Sequence, residues 1–157
     1  FGTGSPDASV MFIGEAPGTE EDKQGVPFVG AAGKKLDQII EAMGFRRADV
    51  YIANTLKSRP PDNRTPTPEE VARCGPYLKS QIDIIAPSVI VTLGSPASKY
   101  ILGTTTGITR LRGAWGTYEG IPVMPTYHPA YLLRNYTTET RTQVWSDMKQ
   151  VIEKLSL

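Results

Sequence analysis

The chain has one cysteine, Cys74, and one histidine, His128, among its 157 residues. A single thiol excludes an internal disulfide and fits a reducing compartment, so a cytoplasmic location is expected. A single imidazole leaves no histidine cluster to hold a metal, and no metal site is expected. Long apolar runs are missing as well. None approaches the roughly 18 residues needed to cross a bilayer, so no membrane association is expected. No signal-peptide pattern is visible, and the chain begins at Phe1 rather than Met. A dominant charge is also lacking: the net formal charge is +1, which does not announce a nucleic-acid binder. Two glycine-rich nucleotide motifs are absent. No Gly-Lys-Ser/Thr marks a phosphate loop, and the glycine spacing does not fit the dinucleotide fingerprint.

What is present reads as a globular domain. Hydrophobic residues make up 39% and charged residues 21%. The length suits one core, so a single monomeric domain over residues 1–157 is expected. Val10–Ile13, Val50–Ala53, Val89–Leu93 and Ile121–Met124 are short, β-branched apolar runs. Continuous runs of this kind fit strands buried on both faces, as in a parallel sheet. Helical spacing lies between them. Leu36, Ile39, Ile40 and Met43 form one stripe closed by Gly44, and Val144, Met148, Val151, Ile152 and Leu155 form another. Thr67-Pro68-Glu69-Glu70 is a capping box, and Gly75-Pro76 is expected to break or kink the helix that follows. Ser95-Pro96 opens a short helix. The alternation predicts an α/β fold: a three-layer α/β/α sandwich with a central, mainly parallel four-stranded sheet.

The polar residues fall at telling places. Glu15, Asn54, Gly94-Ser95 and His128 each follow the C-terminal end of a predicted strand, the edge where open parallel sheets bind ligands. Gly14-Glu15-Ala16-Pro17-Gly18 is a strand-end turn with an acid inside it. Phe28 fits either a core position or a platform for a base. Asn54 offers both a donor and an acceptor, which matches a nucleobase edge or a turn that caps itself. The segment from Asn54 to Arg64 adds Lys57, Arg59 and Arg64. His128 begins His128-Pro129-Ala130-Tyr131-Leu132-Leu133-Arg134, an odd way to finish a strand. A lone histidine is more often structural than catalytic, and it is the company of the other strand ends that raises its standing.

Gly14–Gly18 with Glu21-Asp22, Pro27–Gly30, Asn54–Arg64 and His128–Arg134, in this order, resemble the family 4 uracil-DNA glycosylases. The match runs from about Val10 to Arg134. The resemblance implies a DNA repair enzyme that flips uracil out of DNA, single- or double-stranded, and hydrolyses its bond to deoxyribose. Glu15 and His128 would be catalytic, with Asn63 near the water or the base. Ala16, Glu21, Phe28 and Asn54 would bind the substrate base, Glu21 crowding a thymine methyl. Gly18, Arg59, Arg64, Ser95, Tyr131, Leu132, Leu133 and Arg134 would contact DNA, with Leu132 and Leu133 wedging into the gap left by the flipped nucleotide.

The chain departs from the family at one place. Members usually carry a four-cysteine iron–sulfur cluster. Cys74 matches the last ligand, Ser58 stands where the third belongs, and the first two have no counterpart here. One thiolate does not hold such a cluster, so no cofactor is expected. The missing ligands also motivate a second expectation: a catalytically weak uracil- or DNA-binding module of the same fold.

Overall fold

A computed structural model describes residues 2–15, 30–55 and 68–156. In chain order the elements are β1 (Gly2–Gly4), β2 (Val10–Gly14), α1 (Ala31–Ala42), β3 (Tyr51–Asn54), α2 (Pro68–Ile85), β4 (Val89–Leu93) and α3 (Ser95–Leu102). They continue with α4 (Ile108–Leu111), β5 (Gly116–Tyr118), β6 (Ile121–Thr126), α5 (Pro129–Arg134) and α6 (Thr138–Leu155).

The four predicted strands form the parallel centre of the sheet, in the order β3-β2-β4-β6. The sheet itself is larger than expected and mixed. Two three-residue strands extend it to six, β1 antiparallel to β3 and β5 antiparallel to β6. Both are too short to show an apolar period, and β1 is Gly-Thr-Gly. The β5–β6 hairpin closes through Glu119 and Gly120, with φ of 48° and 84°. Two left-handed residues in succession match the twist of the flanking strands. Short edges of this kind also give a second chain little to pair with.

Side chains alternate across the sheet and build two cores. On one face Val10 and Phe12 of β2 pack with Leu36 and Ile40 of α1 and with Val144, Met148 and Val151 of α6. On the other, Met11 and Ile13 pack with Leu78 and Ile82 of α2 and with Ala97 and Ile101 of α3. This is the expected three-layer arrangement. One expectation about α2 fails: the helix runs through Gly75-Pro76 without ending. Pro76 lies on the exposed side, and the turn after it buries Leu78 and Ile82 against the sheet. A proline removes only one helical N–H, and that burial carries the helix past it.

From β2 the chain moves to β3 on one side. It then returns past β2 to β4 on the other. The C-terminal ends of β2 and β4 therefore flank the point where strand order reverses, the usual crevice of open α/β sheets. The short helix α5 leaves β6 beside this point and packs against α1.

The pair Leu132-Leu133 divides in two on α5. Leu132 is 3% exposed and belongs to the α1/α6 core, whereas Leu133 is 45% exposed. Adjacent helix residues point about 100° apart, so one leucine faces in and the other out. Of the two leucines expected to wedge into DNA, Leu132 anchors α5 in this core and Leu133 is the one left exposed. Leu132→Ala should lower unfolding free energy by about 2–5 kcal/mol, read as a shift of the urea midpoint at constant slope.

Candidate active site

The inner strands end in groups held to one another by backbone bonds. The Thr55 N–H donates to Gly14 O at 2.8 Å, and Thr55 Oγ1 donates to Glu15 O at 2.8 Å. The loops after β2 and β3 are thus tied together behind Glu15. Asn54 is 1% exposed, faces Gly14 in the strand register, and has a buried carboxamide oxygen. Across the switch point, Gly94 follows β4 with φ of 88° and starts α3. Its N–H donates to Thr126 O at 2.9 Å, joining the ends of β4 and β6. A Cβ at Gly94 would lie 3.1 Å from the His128 Cβ, so the absent side chain lets the histidine pack against the turn.

His128 caps α5. Its Nδ1 accepts the Ala130 N–H at 3.0 Å, and Pro129 takes the first helical position. Because Nδ1 is an acceptor, the neutral ring carries its proton on Nε2. Burial, with the Arg134 cation nearby, lowers the His128 pKa from its ordinary 6.5 to about 4. The ring is therefore neutral at physiological pH and offers one N–H donor. The structural role and a chemical role meet in this one residue.

Glu15, Gly94, Ser95, His128, Tyr131 and Arg134 line one cleft of about 350 Å³. Burial raises the Glu15 pKa above the usual carboxylate value. Tyr131 stacks on Tyr127 with ring centroids 4.6 Å apart, which fixes the wall that α5 contributes. Ser95 Oγ accepts the Ile108 N–H at 2.9 Å and so pins α4 to the mouth of α3. Leu133 and Arg134 lie exposed at the end of α5. Asn54 is not among the lining residues. Ala16, Gly18, Glu21, Phe28, Arg59, Asn63 and Arg64 lie outside the described residues, as does Ser58.

Three polar contributors escape a reading of the sequence. Asp147 is fully buried on α6 and binds Arg112 and Thr126. Its signal was present: it falls three residues after Val144 and four before Val151, on the apolar stripe. Arg112 is drawn inward by this carboxylate.

Among the described residues no group of His, Cys, Asp and Glu side chains could hold a metal ion. Cys74 lies on α2, and its side chain is outside the description. With one cysteine in 157 residues, the chain does not supply the four thiolates of an iron–sulfur cluster. What the cleft does supply is a neutral donor, a carboxyl group and a cation around one open space.

The family model for the Uracil DNA glycosylase superfamily matches residues 1–149. A type-4 uracil-DNA glycosylase of Thermotoga maritima is 50% identical over 153 residues, covering 95% of this chain and 79% of that protein. One from Archaeoglobus fulgidus is 46% identical over 162 residues, covering 97% and 79%. A third, from Sulfurisphaera tokodaii, is 48% identical over 161 residues, covering 97% and 72%. Similarity of this extent, on a sheet whose strand ends converge in one cleft, means that the chain belongs to the uracil-DNA glycosylase superfamily.

Proposed function

We propose that this chain hydrolyses the bond between uracil and deoxyribose in DNA and leaves an abasic site. The observation that carries the reading is the neutral His128, with its Nε2–H in the same cleft as Glu15. The scissile bond is inaccessible in stacked DNA, so the nucleotide must first turn out of the helix. As the bond breaks, uracil leaves as an anion with charge on O2 and N1. The His128 N–H donates to O2 as that charge grows. Glu15 orients or deprotonates the attacking water, or stabilises positive charge on the sugar. The Asn54 amide donates to uracil O4, where cytosine presents an amino group and would set donor against donor. Phe28 stacks on the base, Glu21 excludes the thymine methyl, and Asn63 and Ala16 complete the pocket. Arg134, Arg59, Arg64, Ser95 and Gly18 contact phosphates, and Tyr131 supports the DNA-facing side of α5. Leu133 takes the wedge role alone.

No iron–sulfur cluster enters this chemistry. The decisive assay is release of free uracil from single- and double-stranded DNA, with enzyme in excess and iron measured on the same sample. Release with iron well below one cluster per chain is expected. DNA binding without any release would favour the binding-module reading instead. His128→Ala should slow single-turnover release by about 100- to 1000-fold, the usual worth of one preorganised donor, with DNA affinity nearly unchanged.

The pH profile follows from the two shifted groups. Glu15 is raised above its ordinary 4.5, so it protonates first as pH falls, and release should decline through a midpoint above that value. Glu15→Gln should abolish that acid limb. His128 should stay neutral until about pH 4, visible in the nitrogen resonances of the only histidine. Because the unfolded ring takes its proton near 6.5, this group makes stability decrease as pH falls from 6.5 toward 4.

The leucine pair gives a further expected outcome. Leu133→Ala should slow release from duplex DNA more than from single strands, because only the duplex must be unstacked and unpaired. Equal slowing on both substrates would remove Leu133 from the wedge role.

A further inference from the structure

We propose that Asp147 is a positioning residue for His128, acting through Thr126 and Arg112; the idea rests on the catalytic reading of His128. Asp147 is fully buried, and each of its oxygens is used. Oδ1 accepts from Arg112 Nη2 at 2.6 Å. Oδ2 accepts from Arg112 Nε at 3.1 Å and from Thr126 Oγ1 at 2.7 Å. The guanidinium fork also reaches Gln143 O at 3.3 Å. One carboxylate thus joins α6, the segment after α4 and the last residue of β6.

The end of β6 needs such a hold. Pro125 lies in register with Thr92 of β4, but its backbone faces the other way, where its carbonyl meets Gly113 and, as a proline, it has no N–H to donate. The strand is instead secured by contacts around Thr126. The Gly94 N–H binds Thr126 O, and the Gly113 N–H binds Pro125 O at 3.2 Å. Gly113 is pressed against the same carboxylate. With φ of 80°, it would place a Cβ 2.9 Å from Asp147 Oδ1. Gln150 Nε2 holds Gly113 O at 3.1 Å from α6. His128 follows Thr126 by two residues and packs against Gly94, which is itself bound to Thr126. The carboxylate therefore fixes the base on which the imidazole stands, without touching the cleft.

A buried ion pair adds little stability over an apolar substitute of the same shape. Geometry is the better account of it here, because misplacing a catalytic donor by about 1 Å can cost on the order of 100-fold in rate. The test uses Thr126→Val, which keeps the shape but removes the hydroxyl, Thr126→Ser, which restores it, and Asp147→Asn. Single-turnover release from single-stranded uracil DNA, DNA affinity and the nitrogen resonances of the lone histidine are measured for each. Thr126→Val and Asp147→Asn should slow release about 10-fold or more with affinity nearly unchanged, and should shift or broaden the His128 signals. Thr126→Ser should return both readouts to wild type. Ile82→Val, in the core under α2 on the opposite face of the sheet, serves as the control for lost stability. An unchanged rate in Thr126→Val overturns the proposal. So does a loss matched by Ile82→Val with the His128 signals unmoved. If the wild-type chain releases no uracil, the catalytic reading fails by itself, and the His128 signals alone decide whether Asp147 positions the ring.

Discussion

The hydrogen bond from the Ala130 N–H to His128 Nδ1 fixes two properties at once. It caps α5, so the helix can start directly after β6 with proline in its first turn. It also occupies the nitrogen that would otherwise be ambiguous, leaving the proton on Nε2. A backbone amide cannot change its role with pH, so the tautomer holds as long as the helix does. Burial reinforces it by disfavouring the second proton. A neutral donor of this kind suits an oxygen whose charge appears only during reaction, since it needs no counter-ion beforehand.

The cleft keeps its charges sparse in the same way. Burial raises the Glu15 pKa and lowers that of His128, so desolvation pushes both groups toward neutrality. Arg134 remains as the cation beside them, exposed at the end of α5. In the proposed reaction a neutral base would enter such a space without displacing strongly hydrated ions, and negative charge formed there would meet a donor and a cation. The two shifts also separate the titrations: the carboxyl group moves up and the imidazole moves down. The Glu15 charge is consequently the one exposed to mild acid.

Much of this arrangement was legible in the sequence because parallel strands buried on both faces leave continuous apolar runs. Those runs located β2, β3, β4 and β6, and hence the edge where Glu15, Asn54, Ser95 and His128 arrive. The edge strands were not legible, since three residues cannot show a period. The Glu119-Gly120 turn was the available hint for β5. Pro76 misled because a local rule about one missing N–H was overridden by burial of the turns after it. The fate of Leu132 was hidden for a different reason. Sequence shows that two leucines are adjacent, but only the packing of α5 on α1 decides which one faces the core. Asp147 was hidden because charged residues are read as surface, although its place on the apolar stripe of α6 was visible.

The shortness of α5 ties these features together. His128 caps its start and Leu133 lies five residues on, a rise of only about 7.5 Å along the axis. A helix of six residues is too short to be stable by itself, so its orientation comes from what grips it. Leu132 grips it from the α1/α6 core, Tyr131 from the stack on Tyr127, and the cap from His128. The donor and the exposed leucine are therefore parts of one small rigid piece. Under the proposed wedge role, a force on Leu133 would reach the imidazole unless the end of β6 is held. The buried Asp147–Thr126 contact lies at that end, beside Pro125, which has no N–H to donate. The exposed Leu133 and the buried carboxylate thus stand at opposite ends of the same short piece, and the position of the imidazole depends on the stiffness of both anchors.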